Sequence, residues 1–194
     1  MATSEFNVYM AELYQSFQAH DADQDDRLLR YRNIEPESAY YLSMLVRIQQ
    51  PERLLEIGTS TGYSTLWLAE AARATGAKLV TLEIEKERSQ QAQWHAQKMG
   101  LNDVVQFWVG DALEFLRHTQ EQYDFILLDA ERDAYIIYWP YLKKVLTPKG
   151  VLIVDNVISH ADQVKDFISL LQQEQDMMLT TLDLGAGILM ATRT

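Results

Sequence analysis

From Arg53 onward the chain alternates short apolar runs with segments of helical spacing, and this alternation restricts the fold more than any other feature. The apolar runs lie at residues 54–57, 79–82, 104–109, 125–128 and 151–154. Helical segments are expected between them at 63–73, 86–99, 112–117 and 140–145. Runs that are apolar at nearly every position, not every second one, belong to strands buried on both faces. Strand–helix alternation of that kind builds a parallel sheet covered by helices on both sides. After the fifth run, Ser159 and Asp162 have capping-box spacing, and Val164, Phe167, Ile168 and Leu171 form an apolar stripe, so another helix is expected there. Two further strand-like runs, 179–184 and 188–192, are joined by Gly185-Ala186-Gly187. A short glycine-rich link reads as a hairpin, which makes the last strand antiparallel.

Ahead of this unit, Phe6, Tyr9, Met10, Leu13 and Phe17 recur at helical spacing. A polar stretch, 19–33, reads as a loop. Pro36 starts a second helix whose expected buried stripe is Tyr41, Met44, Leu45 and Ile48. Residues 1–50 are therefore expected to form a helical cap on a main unit of 51–194, within one domain. The apolar stripe from Phe6 to Phe17 needs a surface to cover it, either the main unit or a second copy of the chain.

The first strand ends in Glu56-Ile57-Gly58-Thr59-Ser60-Thr61-Gly62-Tyr63-Ser64. Open α/β sheets bind ligands at the carboxyl ends of their strands, where this segment falls. Gly58 and Gly62 permit close backbone approach. Ser64 and the neighbouring N–H groups open a helix and favour a carboxylate. The dinucleotide pattern G-x-G-x-x-G is not met. The spacing is instead E-x-G-x-x-x-G, and an acid two residues ahead of the first glycine would face an amino group, not a pyrophosphate. Glu83 ends the second strand, 25 residues after Gly58, where a carboxylate suits a bidentate bond to ribose hydroxyls. Taken singly, these features also fit a plain turn and a solvated strand-end acid. Together they describe a nucleoside carrying an amino acid.

The ordered set LLEIGTSTGYSTLWLA, TLEIE, VGDALEFL, YDFILLDAE and GVLIVDNV resembles the class I S-adenosylmethionine (SAM)-dependent methyltransferases. More narrowly it resembles the cation-dependent O-methyltransferases of the catechol and caffeoyl-CoA type, over about residues 34–192. The resemblance implies a Rossmann-like, doubly wound α/β sheet of seven strands in the order 3-2-1-4-5-7-6. It implies that Glu56, Gly58, Gly62, Tyr63 and Ser64 hold the methionine end of SAM, that Glu83 holds the ribose, and that Asp111 and Ala112 flank the adenine, with Asp129 nearby. It also implies that the N-terminal helices cover the acceptor site or form a homodimer.

Asp129 ends the fourth apolar run, and Asp155 and Asn156 end the fifth. In that strand order the two tips are neighbours. Two carboxylates and an amide oxygen make a hard-oxygen set suited to Mg²⁺, Ca²⁺ or Mn²⁺, and the resemblance places the metal on the same three residues. A cation there would acidify a chelated hydroxyl and orient it for methyl transfer. The family pattern places a lysine three residues after the first ligand, as a general base. Here that position is Arg132, which stays protonated and cannot remove a proton. It is left to stabilise an anionic oxygen, and the base becomes hydroxide, metal-acidified solvent or His160. His160 also stands where a helix would start. Tyr135, Tyr138 and Trp139 either stack on an aromatic acceptor or pack on the sheet. Asp21, Asp23 and Asp25 match the first EF-hand positions, but Asp26 replaces the required glycine and Arg32 the required glutamate, so a solvated acidic loop is expected.

The net charge of −11 disfavours polyanionic partners, which need basic surface. Methylation of a hydroxylated uridine in tRNA, which related proteins perform, is thereby set below methylation of a small aromatic hydroxyl. A SAM-binding protein with little turnover is the other alternative. The absence of cysteine excludes disulfides and thiolate chemistry and fits a cytoplasmic protein. No apolar run is long enough to span a membrane, and the first residues do not read as a signal peptide.

Overall fold

The structure is a computed structural model and describes residues 4–26 and 29–194. Seven strands form one sheet: β1 (Arg53–Ile57), β2 (Lys78–Glu83), β3 (Val105–Val109), β4 (Tyr123–Leu128), β5 (Leu146–Val154), β6 (Met177–Leu182) and β7 (Ile188–Arg193). Their order is β3-β2-β1-β4-β5-β7-β6, as expected. β1 pairs in parallel with both β2 and β4, with Leu54 opposite Leu79 on one side and opposite Phe125 on the other. β7 runs antiparallel to β5 and to β6. The order reverses direction at β1, so the ligand crevice of such a sheet opens between the tips of β1 and β4.

Among the described residues seven α-helices cover the sheet: α1 (Ser4–Ala22), α2 (Pro36–Gln49), α3 (Tyr63–Thr75), α4 (Lys86–Lys98), α5 (Ala112–His118), α6 (Tyr135–Val145) and α7 (Ala161–Gln173). The period-two geometry of the strands divides the core in two. Leu54, Phe125, Leu127 and Ile153 face one side with the apolar residues of α1, α2 and α3. Leu55, Ile57, Ile126, Leu128, Leu152 and Val154 face the other, against α5, α6 and α7. Both sets are essentially inaccessible to solvent.

The Phe6–Phe17 stripe is covered by the chain itself. Phe6 meets the edge of Trp67 in α3 with ring centroids 5.1 Å apart, and the Tyr9 hydroxyl bonds His95 Nδ1 in α4 at 2.6 Å. Burial at that interface, and Lys98 nearby, push the pKa of His95 down to about 4, so the ring is neutral. The implied homodimer therefore gains no support from this stripe.

Four local expectations are corrected. α2 buries Ser38, Ala39, Leu42, Ser43 and Val46, while Met44 and Ile48 of the expected stripe are exposed. Its inner face is built of small residues that let it lie close to α3, so the larger apolar side chains mislead. α1 continues to Ala22, into the stretch expected to be loop. β5 begins at Leu146, five residues before its apolar run, through the polar Thr147-Pro148-Lys149. Ser159 and Asp162 form no capping box: α7 is preceded by His160, and no side chain caps it.

Candidate active site

Gly58 leaves β1 at φ +107°, a conformation that L side chains rarely adopt. A Cβ on it would stand 1.9 Å from the Asp129 carbonyl oxygen. The glycine thus lets the β1 loop and the β4 tip touch, and the two halves of the crevice are joined at this point. Gly62 serves helix packing in the same way, because a Cβ there would meet the Ala92 side chain of α4 at 2.8 Å.

Beneath the loop, Glu56 is fully buried. Its carboxylate accepts from Ser64 Oγ (2.6 Å), Thr65 Oγ1 (2.5 Å) and Thr81 Oγ1 (2.6 Å). Burial nevertheless pushes its pKa up to about 7. Tyr63 is buried too, with its ring 5.1 Å from Tyr14 of α1. Glu56, Gly62 and Tyr63 are absent from the lining of the crevice, whereas Gly58, Ser64, Glu83, Asp111, Ala112 and Asp129 line it. Glu56 is placed to support the loop from below, not to face a ligand across it.

Glu83 ends β2 and turns its carboxylate along the crevice. Oε2 accepts from the Ser60 amide at 2.7 Å and Oε1 from the Glu85 amide at 3.0 Å. Each oxygen keeps a lone pair for a further donor. Asp111 caps α5 by accepting from the Leu113 amide at 2.8 Å. On this rim every carboxylate named is held by donors of the protein.

The opposite rim differs. Asp129 and Asp155 follow the adjacent strands β4 and β5, and Asn156 donates from Nδ2 to both: 3.3 Å to Asp129 Oδ1 and 2.8 Å to Asp155 Oδ2. Asn156 itself is held at φ +65°. Asp155 is wholly buried, and its Oδ1 has no partner. Burial pushes both carboxyls above the ordinary carboxylate range, and the Asp129 charge raises Asp155 further. Arg132 pulls Asp129 partly back. Among the described residues no three His, Cys, Asp or Glu side chains gather as a ligand set; here two carboxylates and an amide lie together. A buried carboxylate oxygen with no donor, beside a second carboxylate, is a donor set that would fit a hard cation. Rotating the Asn156 amide would turn its oxygen toward the same point.

Arg132 and His160 line this rim. His160 Nδ1 shares a 2.8 Å hydrogen bond with Ser159 Oγ. Of the three aromatic candidates, Tyr138 alone reaches the crevice. Tyr135 is fully buried, and its hydroxyl accepts from the Ala130 amide (3.1 Å) and donates to the Ala130 carbonyl (3.0 Å), fixing the turn after Asp129. Trp139 donates Nε1–H to Glu174 at 2.7 Å. Both therefore pack, and neither is free to stack on a ligand.

Sequence reasoning missed the segment between α1 and α2. Tyr31, Arg32 and Asn33 line the crevice. The segment is tied across it: Ser60 Oγ donates to the Tyr31 carbonyl at 2.9 Å, Asn33 Nδ2 to Thr61 Oγ1 at 3.1 Å, and Arg88 to the Arg30 carbonyl at 3.2 Å. The aspartates with EF-hand spacing explain how it is held. Asp21 accepts from the Tyr31 and Arg32 amides at 2.7 and 2.9 Å, so it clamps the loop. Such asparate-to-amide ties carry no hydrophobic pattern, and only the acid-rich run itself marked the place. The crevice, open on one side to solvent, measures about 870 Å³, toward the upper end of the roughly 300–1,000 Å³ usual for small-molecule sites.

A sheet in this order, with its crevice at the β1/β4 switch, is the Rossmann-like architecture of the class I methyltransferases. Residues 4–193 match the profile of the O-methyltransferase family, and the chain belongs to that family. It is 32% identical over 130 residues to a catechol O-methyltransferase of Niastella koreensis, a match covering 65% of this chain and 58% of that protein. It is 32% identical over 126 residues to a catechol O-methyltransferase of Mycobacterium tuberculosis, covering 64% and 57%. The matched region thus spans under three fifths of these relatives' length. An O-methyltransferase from Bacillus cereus, solved with SAH, superposes with a TM-score of 0.79 at 29% identity, covering 95% of this chain and 90% of that one. TomG of Streptomyces achromogenes, an O-methyltransferase of tomaymycin synthesis solved with SAM, gives 0.80 at 27% identity, covering 94% and 89%.

Proposed function

We propose that this chain transfers the methyl group of SAM to a hydroxyl of a small, catechol-type aromatic acceptor, with a divalent cation held by Asp129, Asp155 and Asn156. The observation that carries the reading is the pair of neighbouring carboxylates, Asp129 lining a nucleoside-sized cleft and Asp155 buried directly behind it with an orphaned oxygen, bridged by Asn156. The catechol O-methyltransferases among its relatives, and the SAM and SAH bound to related structures, support it.

SAM when bound supplies an electrophilic methyl on sulfur, and the cation, Mg²⁺ foremost, would lower the pKa of a chelated hydroxyl. The protein's own residues do the rest. In this reading Glu83 would hold the ribose hydroxyls, Asp111 and Ala112 would flank the base, and Gly58 and Ser64 would hold the amino-acid end; the lining of the cleft by these residues supports it. The Tyr31–Asn33 segment roofs the cleft and limits water above the reacting atoms. A guanidinium is no general base, so Arg132 stabilises an anionic oxygen by its field and moves no proton. The proton leaves to solvent or to His160 on the same rim.

The test is a methyl-transfer screen of diols and monophenols with SAM, in Mg²⁺ or in EDTA. Turnover of vicinal diols in Mg²⁺, lost in EDTA, is expected. SAM binding without turnover of any acceptor would make the chain a binding protein, and turnover indifferent to EDTA would remove the cation from the reading.

A further inference from the structure

We propose that the turn between β6 and β7, residues 185–187, is the positioning element of the cation set. It holds Asp155 and Asn156 in their ligating arrangement before any ion arrives, and Gly187 is the positioning residue through which it acts. This rests on the function proposed above and gives a role to a part of the chain that carries no ligand.

Asp155 and Asn156 form a span of two residues pinned at both ends to the same partner. On one side the β5–β7 ladder ends with Val154 opposite Leu189. On the other, three successive loop amides donate to the turn: Val157 to the Gly187 carbonyl (3.0 Å), and Ile158 and Ser159 to the Ala186 carbonyl (3.0 and 2.9 Å). The turn is closed by the Gly187 amide, which donates to the Leu184 carbonyl at 2.9 Å. The short span between the two anchors has little freedom left, and Asn156 takes φ +65°. Asparagine is among the few non-glycine residues that enter this region at low cost, so the residue type suits the span as well as an ion. The pinning reaches the side chain too. The Ser159 hydroxyl, carried beside one of the held amides, lies 3.4 Å from Asn156 Oδ1. A hydroxyl both donates and accepts, so it supports the amide in either orientation.

Burial does not hold this loop, because Ile158 and Ser159 are exposed. Its order rests on Val157 and on the backbone bonds to the turn. Gly187 lets those bonds form. It sits at φ +96°, and a Cβ there would stand 2.6 Å from both the Cβ and the backbone nitrogen of Ile158. A backbone nitrogen cannot rotate away, so an added methyl group must move the chain two residues after Asn156. A cation that meets ligands already in place does not have to order them, which raises its affinity.

The test uses the full chain saturated with S-adenosylhomocysteine. Amide exchange is followed first, in EDTA and in Mg²⁺. The amides of residues 157–159 are expected to exchange at least about a hundredfold slower than an unstructured chain in EDTA already. Exchange at the unstructured rate until Mg²⁺ is added would overturn the proposal, because the ion would then be ordering the loop. Calorimetric titration of Mg²⁺, with catechol present, next compares the wild type with Gly187→Ala and Gly76→Ala. Gly76 follows α3 at φ +80° with nothing within 4 Å of its Cβ position, so its substitution brings a similar backbone strain and no collision. Gly187→Ala is expected to lower Mg²⁺ affinity at least about tenfold, as the loss of an outer partner of a metal ligand does, while S-adenosylhomocysteine affinity holds. Gly76→Ala should change neither. Wild-type Mg²⁺ affinity in Gly187→Ala, or an equal loss in both variants, overturns the proposal while the cation site stands. If Gly187→Ala fails to bind S-adenosylhomocysteine, and so to fold, Gly187→Asn takes its place, since asparagine tolerates positive φ and still brings the Cβ. Absence of Mg²⁺ binding to the wild type overturns the proposed cation, and this inference with it.

Discussion

The two rims of the crevice are built on opposite principles. On the β1/β2 rim the carboxylates are spoken for: Glu56 has three hydroxyl donors and Glu83 two backbone amides. On the β4/β5 rim Asp155 keeps an orphaned oxygen, and Arg32 and Arg132 each keep an orphaned Nε. A satisfied rim is rigid before any ligand arrives and serves a partner whose shape never varies. An unsatisfied rim carries the cost of unpaired charge until ion and acceptor supply it. Under the proposed function, the contrast assigns invariant recognition to one side and chemistry to the other.

Substitutions at the two rims should therefore fail in different ways. The largest effect belongs to Asp155→Asn. It removes one charge of the cation set, so methyl transfer in Mg²⁺ should fall by about a thousandfold, as expected where a metal contributes several kcal/mol to the barrier. Its urea midpoint should hold or rise, because an unpaired buried charge is lost. A fall in stability with turnover preserved would break the contrast.

Gly58→Ala acts on the joint between the rims. Its Cβ would collide with the Asp129 carbonyl in a backbone conformation already unfavourable for alanine. A loss of roughly 3 kcal/mol in urea unfolding is expected, from overpacking and strain together. Unchanged stability would show that the two tips are not in contact.

Glu83→Ala touches only the satisfied rim. S-adenosylhomocysteine affinity should fall about 10- to 100-fold, the worth of a hydrogen bond to a charged group, while Mg²⁺ affinity stays as it was. The last effect concerns pH. Glu56 titrates near 7 in the folded chain and near 4.5 when unfolded, so the folded state holds the extra proton between those values. Its contribution to stability is complete below about pH 4.5 and is lost as pH rises through about 7, on the order of 3 kcal/mol. Glu56→Gln, which stays neutral, should flatten that part of the stability–pH curve. An unaltered slope would mean that Glu56 is ionised beneath the loop.

Much of the sheet was legible because buried parallel strands write themselves as apolar runs, and the hairpin at Gly185–Gly187 fixed the sense of β7. Features carried by small or polar residues were not legible. The inner face of α2 is Ser38, Ala39, Ser43 and two larger residues, so Met44 and Ile48 drew attention to the exposed side. The start of β5 runs through Thr147, Pro148 and Lys149, which carry no strand signal. In the site, the glycine pair was found for its spacing, but sequence cannot show that Gly58 yields to Asp129 and Gly62 to Ala92. Arg32 escaped notice as a site residue because its position depends on Asp21, eleven residues away and recognisable only once the loop is folded.

The most direct test of the account is a calorimetric titration of Mg²⁺ into the wild-type chain and into Asp155→Asn, both saturated with S-adenosylhomocysteine and catechol. One site per wild-type chain, lost in the variant, is the expected result. Absence of binding to the wild type, or equal binding to both proteins, would contradict the claim that the open rim is made for a cation.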